Sequence, residues 1–291
     1  MGQHPLLEAA QLAVLLARPV ETIERRIERL VRYQVIEGIT RRADGDQVTP
    51  GRFVLTSLGL SWLAARDGVP PRRYAEHGVV AATSGSNGTT STRLDGLLRH
   101  FEHSVGVNRV LVRLASDARR AGHVLAEWRS ESASTRRFRD GERSYWIRPD
   151  AGGVLQFAQA RHEFLLEYDR GTERAANHRS KLVGYHRYFA ARQFETDYDG
   201  CPVMLVVATS DQAEDRLARA VREAEREFGA CLPLLLTTEW RFGNDPSNAL
   251  GLFGPIWRTS DIPGPRRPWP QRDDTRLLSS RNARPLTGGD E

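Results

Sequence analysis

The stretch "HEFLLEYDRGTERAANHRSKLVGYHRY", residues 162–188, predicts a buried strand that passes through a short loop into a helix. Because side chains alternate across a strand, Glu167 and Asp169 share one face near its end. The helix carries Lys181, the only lysine of a chain with 42 Lys and Arg residues. Tyr185 follows on the same helical face at i+4. A compact ammonium in so arginine-rich a chain indicates a position where the broad guanidinium does not serve.

A third carboxylate, Asp150, follows a proline on what should be the neighbouring strand. We expect Asp150, Glu167 and Asp169 to converge, with Lys181 beside them. Clustered hard oxygens suit Mg²⁺ or Mn²⁺, with Asp150 and Glu167 as the metal ligands. Such an ion activates water and stabilises phosphoryl charge, while the ammonium holds the water or the scissile phosphate. These four residues form the candidate catalytic set. The alternative is a surface ion-pair lattice with the nearby arginines, Arg170, Arg174 and Arg179.

The surrounding segment, residues 97–257, predicts the order αβββαβαβ, a mixed sheet with helices on its faces. "PVMLVVATS" and "LPLLLTTEW" are continuous apolar runs, typical of strands covered on both faces. Residues 258–291 are rich in Pro, Arg and Ser and predict a disordered tail. We interpret the tryptophans of this region as core or rim packing rather than base-stacking platforms: Trp146, Trp240 and Trp257.

Residues 1–70 predict a helix, a basic helix, a hairpin and a closing helix, the layout of a winged helix-turn-helix. In the basic helix, Ile23 and Ile27 begin a buried stripe. The opposite side carries arginines expected in a DNA major groove: Arg25, Arg26, Arg29 and Arg32. The hairpin, or wing, carries arginines expected on phosphates: Arg41, Arg42 and Arg52. The alternative is a solvated helix face in a module for protein contacts. Residues 71–96, rich in Pro, Gly, Ser and Thr, predict a linker.

Bulk properties and missing motifs exclude several classes. The chain has 291 residues, a net charge of +5 and no apolar run of the roughly 18 residues that span a bilayer. We predict a cytoplasmic protein without membrane contact, in which Cys201 and Cys231 are buried free thiols rather than a disulfide. "GSNGTTST" lacks the lysine of a phosphate-binding loop. No three-histidine cluster supports a histidine-dependent relaxase.

Several short motifs together resemble the replication-relaxation family of plasmid and integrative-element proteins over about residues 6–257. The motifs are "FEHSVGVNRVLVRL", "AEWRSES", "RPDAGGVLQF", "EFLLEYDRGTE", "KLVGYHRYF" and "CPVMLVVAT". The resemblance implies an α+β protein, with an N-terminal winged helix-turn-helix followed by a PD-(D/E)XK restriction-endonuclease-like α/β domain with a mixed sheet. It matches Asp150 to the Pro-Asp motif, and Glu167 and Asp169 to the two acids of the E-x-D motif. Lys181 matches a lysine moved from the strand to the next helix, since Asp169 occupies its common place.

Three functional interpretations stay open at this point. In the first, the protein binds double-stranded DNA of a mobile element and acts in replication, relaxation or conjugative transfer as a magnesium-dependent nickase or endonuclease. In the second, it is a non-catalytic accessory factor that positions a relaxase or replication initiator. In the third, it is a winged-helix transcriptional regulator. A second copy of the chain is a further candidate partner.

Overall fold

The computed structural model describes residues 2–39, 51–82, 92–157, 160–172, 175–243, 248–261 and 264–271. The fold is mixed α and β. The helices, in chain order, are α1 (Ala9–Leu16), α2 (Val20–Arg32), α3 (Ser57–Arg66), α4 (Pro71–Glu76), α5 (Thr92–Arg99), α6 (Phe101–Arg120), α7 (Glu131–Ser134), α8 (Ala175–Ala190), α9 (Phe194–Asp197), α10 (Asp211–Phe228) and α11 (Glu239–Gly243). The strands are β1 (Ile36–Ile39), β2 (Arg52–Thr56), β3 (Ala81–Ala82), β4 (Val124–Ser130), β5 (Arg136–Asp140), β6 (Arg143–Ile147), β7 (Ala151–Phe157), β8 (Ala160–Asp169), β9 (Val203–Ala208) and β10 (Leu234–Thr238).

The chain divides into two compact units, Met1–Ser116 and Asp117–Glu291. The division falls within α6. The predicted boundaries between winged helix, linker and C-terminal domain stay a prediction.

In the first unit the elements follow the predicted order of helix, helix, two strands and helix. The stripe of α2 buries Ile23 and Ile27, which pack against the antiparallel pair of β1 and β2. Thr56 ends β2 and caps α3, because its hydroxyl accepts from the N–H of Gly59 at 3.1 Å. A Cβ at Gly59 would lie 2.1 Å from the Val35 carbonyl oxygen, so only glycine allows this close approach. Residues 40–50, which include most of the predicted loop of the hairpin, lie outside the described residues.

The structure differs from the predicted open linker in part of residues 71–96. Helix α4 begins at a proline, a favoured residue for a first helical turn. Strand β3 pairs in parallel with β2, and Val79 is buried in the core of the first unit. Val79 and Ala81 supply the apolar surface that orders this segment, which composition alone did not reveal.

The second unit centres on a five-stranded mixed sheet of order β10-β9-β8-β7-β4. Strands β4, β7 and β8 are antiparallel neighbours, whereas β8, β9 and β10 run in parallel. The strands of this sheet and the long helices α6, α8 and α10 occur in the predicted order αβββαβαβ, but α7, β5, β6 and α9 are additional elements that the sequence did not predict. The core of the second unit includes apolar residues of β8, β9 and β10 together with α8 and α10. The extended segment of residues 143–160 is divided at Pro149, which cannot donate to a ladder, into β6 and β7. Strand β6 instead pairs with β5 in a separate two-stranded sheet.

The beginning of the predicted disordered tail is packed. Arg258 exchanges backbone hydrogen bonds with Leu236 of β10, and Trp269 is only 1% exposed. Glu214 of α10, also 1% exposed, accepts two hydrogen bonds from Arg266 at 2.9 and 2.7 Å. We call the packed segment that carries Arg258, Arg266 and Trp269 the C-terminal clasp. The low apolar content of this segment predicted disorder. Its ion pairs and the buried Trp269 supply stabilisation that the composition did not indicate. Residues 272–291 lie outside the described part of the chain.

Two further predictions concern membranes and cysteines. None of the helices in the described ranges combines the length and the apolar character needed to cross a bilayer. Cys201 and Cys231 are free thiols, as predicted, but each is only half-buried.

Candidate functional site

Asp150 lies beside the end of β8 because β7, which follows it, pairs antiparallel with that strand. The register sets Ala151 opposite Leu166, so the next pair outward is Asp150 and Glu167. The half-buried Asp150 carboxylate accepts from the backbone N–H of Tyr168 at 2.7 Å. This hydrogen bond fixes the loop between β6 and β7 to the β8 strand.

Glu167 is buried, with 7% of its surface exposed, and α8 supplies partners to both of its oxygens. Lys181 forms an ion pair with Oε2. The hydroxyl of Tyr185 donates to Oε1. The spacing of i and i+4 on α8 brings the ammonium and the phenol to the same carboxylate. A third of the Lys181 side chain is exposed, although the carboxylate that it pairs with is buried. We call Asp150, Glu167, Lys181 and Tyr185 the acid–lysine cluster.

The electrostatics of the cluster follow from burial. Burial raises the pKa of Glu167 to about 8, although the Lys181 ammonium acts to lower it. The Asp150 carboxylate acts in the same direction as burial. Burial, followed by the negative charge of Glu167, holds the pKa of Tyr185 well above its usual range. The Glu167 carboxyl therefore changes charge near neutral pH, whereas Tyr185 stays a donor.

Asp169 was expected beside Asp150 and Glu167, but its hydrogen bond is made elsewhere. Its Oδ1 accepts from the N–H of Gly171 at 2.9 Å, because the chain turns directly after β8. His178 of α8 lies 4.0 Å from the same oxygen. Within the described ranges, no group of three or more His, Cys, Asp and Glu side chains is arranged to hold a metal ion. The structure thus brings together two of the three predicted carboxylates.

Two carboxylates are still a donor set that fits Mg²⁺ or Mn²⁺. Mg²⁺ is commonly bound by one or two carboxylates, with waters and substrate phosphates completing its shell. A carboxylate offers about four lone-pair positions, so Tyr185 and Lys181 do not exhaust Glu167. Asp150 and Glu167 are therefore the residues that could hold such an ion.

On α2 the four predicted DNA-binding arginines are all exposed: Arg25, Arg26, Arg29 and Arg32. Their helix also exposes three glutamates, Glu21, Glu24 and Glu28. Arg25 donates to the backbone carbonyl of Glu21 at 3.3 Å. The face is thus arginine-rich and available to solvent, but not uniformly positive.

The wing arginines have a different outcome. Arg41 and Arg42 lie outside the described residues. Arg52 is buried at 8% exposure, donates to the Leu6 carbonyl at 2.9 Å and forms an ion pair with Glu8. Arg52 therefore has partners inside the protein, and the predicted contact of this residue with a DNA phosphate is wrong. A buried guanidinium needs such internal partners, and here they tie the N-terminal segment to β2.

The tryptophans divide into two groups. Trp257 is 1% exposed and belongs to the core, as interpreted from the sequence. Trp146 and Trp240 are 58% and 40% exposed, so neither belongs to the core. The alternation of Arg with Phe in "RRFRD" and the aromatic pair in "RSYW" could have indicated a hairpin with one basic outer face.

The model of the family described as replication-relaxation matches residues 1–204. The matched segment includes every residue of the acid–lysine cluster and ends within β9. No curated protein sequence and no solved structure gives a significant match.

Proposed function

The chain belongs to the replication-relaxation family, and from this premise we propose that it is a cytoplasmic DNA-binding protein of a plasmid or integrative element. The family description gives a role in the replication or relaxation of such elements. Conjugative transfer is a related process in which the same activity would serve. A relaxase or replication initiator, and a second copy of the chain, are the protein partners in this proposal.

The first unit is proposed to bind double-stranded DNA as a winged helix. Helices α1 and α2 would form the helix-turn-helix, and β1 and β2 the base of the wing. Exposed arginines at the α2 surface support this assignment, since guanidinium groups bind phosphates and base edges. Glutamates on the same helix limit non-specific attraction, which favours a defined docking geometry over general adhesion.

The second unit is proposed to be a PD-(D/E)XK-like domain with a phosphodiester-directed site. The observation that carries this proposal is the ion pair between Lys181 and Glu167 beside Asp150. Although Lys181 lies on α8 rather than on β8, its ammonium reaches the acid at the strand end. The helix thus supplies the charge that the nuclease pattern places on the strand.

Each residue of the cluster has a separate task in this proposal. Asp150 and Glu167 would hold Mg²⁺ or Mn²⁺, which when bound supplies Lewis-acid stabilisation of phosphoryl charge. Lys181, whose side chain is partly exposed, would orient a water molecule or bind the scissile phosphate. Tyr185 fixes the Glu167 carboxylate by donating to it. Asp169 shapes the turn after β8 and has no direct task here.

A second candidate, the non-catalytic accessory factor, is favoured by a different observation. Both Glu167 oxygens already have partners within the protein, and burial favours the protonated acid. In that case the cluster holds β8 to α8, and the protein contributes binding alone to a relaxase or initiator.

Plasmid cleavage separates the two candidates. Purified protein would be incubated with supercoiled plasmid and Mg²⁺ or Mn²⁺, beside Lys181→Ala and Glu167→Ala. The matched control is Arg179→Ala, which removes another cation from α8, one that pairs at the surface with Glu227 at 2.9 Å. Nicking lost in the first two variants and retained in the control supports the nuclease-like site. Intact plasmid with either ion, alongside retained DNA binding, supports the accessory factor.

Binding to a DNA duplex tests the first unit independently. Arg25→Ala combined with Arg29→Ala should reduce the salt dependence of affinity, by about 1.8 in the slope of log K against log salt if both contact phosphates. Arg66→Ala is the control, because Arg66 is exposed on α3 but pairs with Asp67 at 2.7 Å. An unchanged slope in the double variant would contradict the assignment of α2.

A further inference from the structure

The hairpin of β5 and β6 has one face in the core and one in solvent. Its register sets Arg137 opposite Trp146 and Arg139 opposite Ser144. These four side chains are exposed, and we call them the outer face of the hairpin. The inner face buries Phe138, whose ring contacts Tyr188 of α8 edge-on at 5.4 Å between centroids. Since a strand alternates, burial of the inner face fixes the outer face toward solvent.

The outer face combines positive charge with an exposed indole. Trp146 is 58% exposed, so its ring offers an apolar surface to a ligand in solution. Arg137 is its direct cross-strand neighbour, and the Arg148 guanidinium lies 6.0 Å from the ring centroid. Among the ion pairs of the described residues, none involves Arg137 or Arg139, whereas Arg148 pairs with Glu131. Asp140, which follows Arg139, is held by Arg187 at 2.6 Å.

We propose that the outer face binds single-stranded DNA. An exposed aromatic ring offers a surface on which an unpaired base can stack, and flanking arginines neutralise the phosphates of the same strand. In a duplex the bases are stacked on one another inside the helix, so they are not available to stack on the Trp146 indole. An exposed indole beside arginines therefore favours a ligand that has unpaired bases as well as negative charge.

The position of the hairpin supports this ligand. Strand β6 leads through Arg148 and Pro149 directly to Asp150. On α8, a Cβ added to Gly184 would lie 3.2 Å from the Trp146 carbonyl oxygen, so helix and hairpin touch there. Gly184 is three residues beyond Lys181, which on a helix is roughly 5–6 Å. The hairpin itself thus lies beside the helix that carries Lys181.

This inference goes beyond the proposed function and depends neither on cleavage nor on α2. DNA that is being replicated or relaxed exposes unpaired bases, and the hairpin gives the second unit its own way to hold them. Loss of duplex binding through α2 would not contradict the proposal that the outer face binds single-stranded DNA.

Fluorescence anisotropy with the full chain tests it. The probe is a labelled single-stranded DNA of about 16 nucleotides and mixed sequence. Trp146→Ala should weaken binding about 5- to 100-fold, whereas Trp146→Phe, which keeps a ring, should restore most of the affinity. Arg137→Ala with Arg139→Ala should reduce the slope of log K against log salt by about 1.4.

Trp240→Ala is the matched control. Trp240 is 40% exposed and also lies beside an arginine, but both the indole and Arg241 are engaged by Asp211 at 3.2 and 2.9 Å. This variant should bind single strands as the wild type does. Duplex of the same sequence should bind Trp146→Ala and wild type equally. Equal single-strand affinity of Trp146→Ala and wild type would overturn the proposal. Tighter binding of RNA than of DNA would overturn the choice of ligand.

Discussion

Lys181 on α8 forms an ion pair with Glu167 on β8, and the carboxylate it meets is almost completely buried. A helix and a strand are joined by charge at the point where the sheet carries its acids. An ammonium suits this place because it is small and donates in any direction, whereas a guanidinium would need a wider, planar opening. The solitary lysine of the sequence is thus engaged where arginine would fit poorly.

The stability of the protein should fall as pH rises from about 6.5 to about 8. Glu167 has a pKa of about 8 when folded, above the 4.5 of the unfolded chain. The folded state therefore holds more protons over this range, so the free energy of unfolding decreases with pH. Urea unfolding across the range would show the slope, and Glu167→Gln should remove much of it. Below about 6.5 the lowered pKa of His186, about 4 through burial, acts in the opposite direction. An equal slope in both proteins would refute the assignment.

Lys181→Ala should destabilise the protein more at about pH 9 than at about pH 6.5. Without the ammonium, burial raises the pKa of Glu167 further, and ionising the acid becomes costlier. We expect a loss of about 1–3 kcal/mol at high pH, where the charge stays buried and unpaired. Chemical denaturation at both pH values measures it. Arg179→Ala is the control and should show no such dependence on pH.

Asp150→Ala should cost about 1–3 kcal/mol, because the N–H of Tyr168 loses its acceptor at the end of β8. Asp150→Asn keeps a carbonyl oxygen in that place and should recover part of the loss. Both unfolding free energies follow from urea titration. If Asn proves as destabilising as Ala, the hydrogen bond is not what Asp150 contributes to stability.

Gly153→Ala should destabilise the central sheet by about 1–3 kcal/mol or more. A Cβ at this position would lie 2.2 Å from the Glu127 carbonyl oxygen of β4 and 2.9 Å from the Phe164 ring of β8. Gly200→Ala is the matched control, since a Cβ there would meet nothing within 4 Å. Thermal unfolding of the two variants tests the β4-β7-β8 order, and equal melting temperatures would count against it.

Much of the sheet could be predicted from local pattern. The continuous apolar runs of β9 and β10 and the stripe on α2 are signals that a short window contains. The i+4 spacing placed Lys181 and Tyr185 on one face of α8, and the structure shows that this face meets Glu167.

Other features depend on partners far along the chain. Arg52 is internal only because Glu8 and the Leu6 carbonyl meet it, and no pattern near Arg52 signals this. Asp169 belonged by alternation to the face of Glu167, but the turn at Gly171 uses its oxygen. The exposure of Trp146 depends on which face of the hairpin α8 covers.

The C-terminal clasp sets a practical limit on how the molecule can be shortened. A fragment cut at residue 204, where the family match ends, would lose β10, α10 and most of β9. A cut after Trp257 would keep the whole sheet yet remove Arg258 and Arg266, the two guanidinium partners of the Glu214 carboxylate. Protein engineers who want this half in isolation should therefore retain the chain through residue 271, past the last strand.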